Sequence, residues 1–296
     1  MLSTTGAAPP AGPQATKAET LPLGQRLMAF ASGQLQFAQE QLAREGEARH
    51  IGVHEARKCI RRTRAALALG VSAVDPRARS LYDELGRLCR GLSRLRDAQA
   101  LIEVLRRLEN SESPEVRAVL LQAEAAARKR REQVLEGALQ RDRQLRSRLQ
   151  RLQAAQRRLL RLEWQAVGFA DVEKAVLRSM RRADKARRRL SRHRDDDHAW
   201  HVFRRRLRRL RQQDSILAEL QPDLRPPIND LEHKASALGE SQDDSLLLRH
   251  CGRHSPFSPP QRRILRNIAR ERLQRTRCTS EDFAALTPRD PGDGQN

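Results

Sequence analysis

The chain carries one string of chemistry-bearing residues twice, 147 positions apart. His54, Arg57, Lys58, Arg61, Arg62 and Arg64 form the first copy; His201, Arg204, Arg205, Arg208, Arg209 and Arg211 form the second. Both read H-x-x-R-(K/R)-x-x-R-R-x-R. Guanidiniums at this density present planar donor forks that grip phosphate oxygens two at a time, and they supply neither nucleophile nor base. The chemistry they suit is recognition of a polyanion. At helical spacing the first six side chains fall within roughly 160°, with Val53, Ala56, Ile60 and Leu67 opposite. In the second copy Phe203, Leu207 and Leu210 oppose the cations, so each string predicts a helix with one apolar and one cationic face. Glu55 is the sole acid between 54 and 64, so the stripe repels itself unless an anion neutralises it.

Composition agrees with a polyanionic partner. The 296 residues hold 58 Lys+Arg against 37 Asp+Glu, a net charge of +21, and 52 of the 58 are arginine. Aromatics reach only 3%, which leaves little for base stacking and argues against a single-stranded nucleic-acid platform. A protein that holds nucleic acid weakly, by charge on the backbone alone, stays open as an alternative, as does a phosphohydrolase or its accessory subunit. Leu and Ala dominate the apolar residues, so the fold class is all-α. Four cysteines without C-x-x-C spacing suit a reducing cytoplasm. The chain has no apolar run of 18 residues and no basic-then-apolar leader, so it is expected neither to span a membrane nor to be secreted by that route.

Other histidines invite a metal. His50 with His54, His198 with His201, and His250 with His254 have i,i+3 or i,i+4 spacing, and Asp195, Asp196 and Asp197 lie beside His198. Against this, His50 and His254 adjoin Gly52 and Gly252, which read as turns, and the three Asp read as a helix N-cap and first turn. No metal or other cofactor is expected. The chain lacks G-x-x-x-x-G-K-(S/T), G-x-S-x-G and H-E-x-x-H, so a binder rather than an enzyme is expected. His54 and His201 keep two readings: donors to phosphate when protonated, or groups that orient their neighbours. Asp97 and Asp243 read as acids that orient arginines.

The elements that must position these residues follow from apolar spacing and breakers. A first helix starts near Leu23 and ends at Gly46. The first basic helix runs from about Val53 to Leu69. A third spans Pro76 to Asn110, and a long helix spans Pro114 to Glu163 with a break near Gly137. The second half starts near Asp171 and reaches the second basic helix after Asp197; two more helices cover Pro227 to Cys251 and Pro259 to Cys278. Residues 1–19 and 284–296 have the composition of disordered segments.

The paired basic helices resemble those of the CHAD family, the conserved histidine α-helical domain. In the first half the V-H-E-x-R-K-x-x-R-R-x-R string is followed by LCRGLSRLRDAQALIEVL, similar to that family's L-x-R-x-L-G-x-x-R-D-x-D-V. In the second, LRSMRRADKARRRL precedes the basic helix and LGESQDDSLLL follows it. Ser93 and Gln99 replace the Gly and second Asp of the family pattern, and Gln242 replaces the Arg of its R-D pair. The resemblance covers about residues 21–282. It implies two four-helix bundles, 20–165 and 166–283, related by pseudo-twofold symmetry around a basic central cleft. It also implies binding of inorganic polyphosphate and location at polyphosphate granules. Carried over by position, the two strings form the site together with Arg96 of the R-D pair and Arg178, Arg181 and Arg182 ahead of the second string.

Overall fold

Leu and Ala at helical spacing build helices through the residues that the computed structural model describes, 21–110, 113–228 and 230–279. Both segments expected to be disordered lie outside the described residues. The helices are α1 (Leu23–Leu42), α2 (Ala48–Leu67), the single turn α3 (Val71–Val74), α4 (Pro76–Gly91), α5 (Ser93–Glu109) and α6 (Pro114–Arg141). They continue with α7 (Arg146–Leu159), α8 (Phe169–Arg192), α9 (Asp197–Leu220), α10 (Leu231–His250) and α11 (Pro259–Thr279). The all-α expectation holds.

Two expected helices are each broken in two. The segment from Pro76 to Asn110 divides at Leu92, which has φ −93° and ψ 0°. Arg57 Nη1 reaches over from α2 at this point, donating to the Cys89 carbonyl and, at 2.9 Å, to the Ser93 hydroxyl. A side chain inserted at a helical ladder is a common cause of a kink. The long helix breaks at Asp142–Leu145 and not at Gly137, which stays inside α6. Gln144 and Leu145 take positive φ of 53° and 54°. Leu145 is fully buried, and Asp142 accepts from the Ser147 amide at 2.9 Å and from Arg148 Nη1 at 2.5 Å. Burial and capping together offset the strained backbone.

The first basic helix starts at Ala48, earlier than expected, and so takes in His50 and Gly52. Gly52 is therefore not a turn residue. A Cβ there would lie 2.1 Å from the Gln41 carbonyl oxygen, so glycine permits the end of α1 to rest on α2. His50 is buried 3.9 Å from Glu132, with Glu47 beside it. Arg131 bonds both carboxylates, at 3.0 and 2.6 Å, so a guanidinium already neutralises the acids of this group.

Buried apolar residues form three clusters. The first joins α1, α2, α4 and α7 to the start of α8 and the end of α9, through Leu27, Leu35, Ile60, Leu85 and Leu217. A second joins α5 and the first half of α6 to α10 and α11; the third lies among α8, α9 and α10 around Phe203 and Leu207. The second cluster thus draws on both halves of the chain, because the kink at Leu92 turns α5 away from α4 and onto α10. Each fully buried Leu, Ile or Phe contributes about 1.5–3 kcal/mol. Cys59 and Cys89 occupy core positions, and Trp164 is buried with Nε1 donating to the Leu159 carbonyl at 2.8 Å.

Asp75 begins α4 as an N-cap ahead of Pro76. Its carboxylate accepts from the Arg77 amide at 2.8 Å, from the Arg77 guanidinium and from the Glu163 amide at 3.1 Å. The side-chain bond from Arg77 holds the carboxyl below its ordinary pKa. A depressed carboxylate stabilises the fold above its unfolded pKa, and this contribution disappears as pH falls through the folded value. Asp75→Asn should therefore melt below the wild type at pH 7, by the equivalent of about 1–2 kcal/mol, and the gap should narrow as pH falls toward about 2. Thermal melts across that range check this; a constant difference at all pH values would contradict it.

Candidate polyanion-binding site

The apolar faces of the two basic helices decide where their cations point. α2 buries Val53, Ala56 and Ile60, and α9 buries Phe203, Leu207 and Leu210. Asp196 caps α9 by accepting from the His198 amide at 2.8 Å, which assigns the acidic run the capping role its sequence suggests. With their apolar sides committed elsewhere, α2 and α9 touch each other, and their cationic sides line two cavities.

The first cavity, about 760 Å³, is lined by Arg61 and Arg64 of α2, Arg79, Tyr82 and Arg90 of α4, Arg178 and Arg182 of α8, and Arg205, Arg206, Arg208 and Arg209 of α9. Its lining contains ten arginines and no carboxylate. The second, about 670 Å³, is lined by His54, Arg57, Lys58, Arg61, Arg62 and Arg96 from one half and by His201, Arg204, Arg208, Arg211 and Arg249 from the other. Here Asp97, Glu232 and Asp243 join the lining. Arg61 and Arg208 border both cavities. They occupy equivalent positions of the two strings, as do Arg57 and Arg204.

Burial raises the electrostatic cost of this arrangement. The Arg208 guanidinium is pushed well below its ordinary pKa by burial and then by Arg204 and Arg61. Burial also lowers Arg204 and Arg209 to about 10, and lowers Arg61 and Arg64. All these groups face like charges. Buried Nε atoms of Arg57, Arg61 and Arg204, and Nη1 of Arg96, have no hydrogen-bond partner among the described residues. Desolvation lowers both His54 and His201, so burial disfavours the charged imidazole of each in the free protein.

Some cations have partners. Arg57 is held by Cys89 and Ser93, and Arg204 Nη1 donates to Gln242 Oε1 at 3.2 Å. Ser93 and Gln242, two departures from the family pattern, thus hold the matched first arginines of the two strings. In the second cavity Lys58 pairs with Glu55 at 3.4 Å, Arg96 with Glu103 at 2.8 Å, and Arg211 with Glu232. Asp243 accepts from Arg107 at 3.2 Å, and it also raises the Arg204 pKa, against the larger effect of burial.

Fifteen of the sixteen expected site residues border one or both cavities. Arg181 does not: it is exposed on α8 and lines neither. Sequence reasoning missed the contribution of α4. Arg79, Tyr82, Gly86 and Arg90 share a face about 80° wide, a legible signal. Tyr82, the chain's single tyrosine, lies under Arg64, Arg209 and Arg79, whose guanidinium carbons are 4.0, 5.1 and 5.8 Å from the ring centre. A Cβ on Gly86 would come within 3.1 Å of the Arg64 guanidinium, so its absence leaves that group room.

Comparison with known proteins bears on this arrangement. No curated protein matches the chain. The crystal structure of the CHAD domain from the plant Ricinus communis is similar in fold, with 19% identity and a TM-score of 0.61, over 96% of this chain and 99% of that one. The family model of the CHAD domain matches residues 28–252. With that match across most of its length, a span that includes both His-led basic helices, the chain belongs to the CHAD-domain family.

Proposed function

We propose that this protein binds inorganic polyphosphate without cleaving it, and that this binding brings it to polyphosphate granules in the cytoplasm. The observation that carries the reading is the double placement of Arg61 and Arg208 between two arginine-lined cavities. A single phosphate chain passing them meets cations from both basic helices. Polyphosphate has no bases, so charge density and phosphate spacing must provide recognition, and guanidinium forks match both. Two of the three carboxylates that line the second cavity support binding over catalysis, since Glu232 is engaged by Arg211 and Asp243 by Arg107. The order α1–α2 and then α8–α9, each ending in a basic helix, supports a pseudo-twofold pairing of two bundles about a basic cleft.

Competition against labelled polyphosphate at fixed salt tests the reading. RNA, DNA and heparin at equal anion concentration should displace it poorly, and chain length should be unchanged after incubation with magnesium. The logarithm of affinity should fall linearly with that of salt, by about 0.7 per contacted phosphate if the chain behaves as a single-stranded polyanion. Equal displacement by RNA or DNA would favour a nucleic-acid backbone binder, and shortened chains would favour a hydrolase. Either result overturns the proposal. Among the described residues no helix is long and apolar enough to cross a membrane.

A further inference from the structure

We propose that the acid-free cavity is a self-sufficient subsite for short oligophosphates, filled before the second cavity. This rests on the polyphosphate reading and divides its site into an anchor and an extension.

The two cavities differ in what an entering anion must displace. In the second, three carboxylates line the wall, and Lys58, Arg96 and Arg211 are paired with acids. A phosphate chain must compete with those partners and come close to like charge. In the first, the lining holds no carboxylate, and among the described residues Arg79 is its one arginine that pairs with an acid, Asp83 at 3.0 Å. An anion there meets guanidiniums whose mutual repulsion it relieves, and it breaks almost no internal ion pair.

A second observation concerns the positioning of these cations. Tyr82 packs against Arg64 of the first string and Arg209 of the second, so a neutral ring holds guanidiniums from both helices in place before ligand arrives. Donors fixed in advance lose less entropy on binding. Arg178 and Arg182 complete the wall from α8 and are exposed, so a short anion can reach them from solvent. The cavity is also compact enough, at about 760 Å³, to surround an oligophosphate of a few units.

Calorimetry of the full chain with tripolyphosphate and with long-chain polyphosphate, at one salt concentration, tests the division. Two double variants are compared, each checked for helical circular dichroism and melting: Arg178→Ala with Arg182→Ala, and Lys58→Ala with Arg62→Ala. Tripolyphosphate should bind the wild type one to one. The α8 pair should weaken it about tenfold or more, at least fivefold beyond the loss from the α2 pair. Long chains should be weakened by both. Similar losses of tripolyphosphate from both variants would mean that the cavities act as one unit and overturn the proposal. Failure of tripolyphosphate to bind, with long chains still binding, would overturn the subsite and leave the polyphosphate reading standing. Failure of both ligands would remove that reading and the subsite with it.

Discussion

Arg208→Met is expected to melt higher than the wild type when ligand-free and to lose about tenfold to hundredfold in polyphosphate affinity. Burial and the neighbouring Arg204 and Arg61 disfavour the charged form of Arg208. Its stem comes off the face of α9 next to the fully buried Leu207. A methionine keeps an unbranched apolar stem and removes the desolvated charge. Exchange of buried ionic groups for apolar ones of similar volume is often stabilising, by about 1–4 kcal/mol. For a chain of this size about 1 kcal/mol corresponds to a melting shift of roughly 2–4 °C. The loss in binding follows from one charge-assisted contact, worth about 1.5–3 kcal/mol when well formed. Added polyphosphate should then stabilise the variant less than the wild type, in which ligand at about 100 times Kd contributes about 2.7 kcal/mol. Melts with and without ligand, alongside calorimetry, read both effects. A variant that melts lower in the free state would show that the guanidinium supports the wall between the cavities.

Gly52→Ala should be the most damaging single-methyl change of the first basic helix. Its Cβ would lie 2.1 Å from the Gln41 backbone oxygen, which belongs to α1 and cannot rotate away as a side-chain tip could. Either α1 and α2 separate or the carbonyl shifts, and overpacking of this kind costs about 1–3 kcal/mol or more. Gly33→Ala is the matched control. Gly33 is exposed inside α1 with nothing within 4 Å of a new Cβ, so the same methyl should stabilise by about 0.5–1 kcal/mol through helix propensity. Opposite shifts in melting temperature are the expected outcome. Separation of α1 from α2 would also move Arg57 and Arg61, so Gly52→Ala should weaken polyphosphate binding and Gly33→Ala should not. A Gly52→Ala protein as stable as the wild type would show that the α1–α2 contact relaxes freely.

Local patterns in the chain determined the helices and the sorting of the two basic faces. Spacing of 3.6 residues places Ile60 and Leu207 inward and their neighbouring arginines on the other side, whatever else the fold does. The duplicated string and its company of R-D and LGESQDD segments were enough to place the chain in its family. Tertiary structure alone decided the rest. The kink at Leu92 has Gly91 and Ser93 on either side of it but also receives Arg57 from another helix, and the break at Leu145 coincides with the burial of that side chain, which no local breaker announces. Gly52 reads as a turn until the backbone of α1 is seen against it. The partition of the cations also arises only in three dimensions. One-dimensional charge counts make Arg61, Arg62 and Arg64 equivalent, whereas packing sets Arg61 between two cavities, Arg62 in the second cavity alone and Arg64 over the Tyr82 ring. Charge energy depends on distance and burial, and those are properties of helices brought together from positions far apart in the chain.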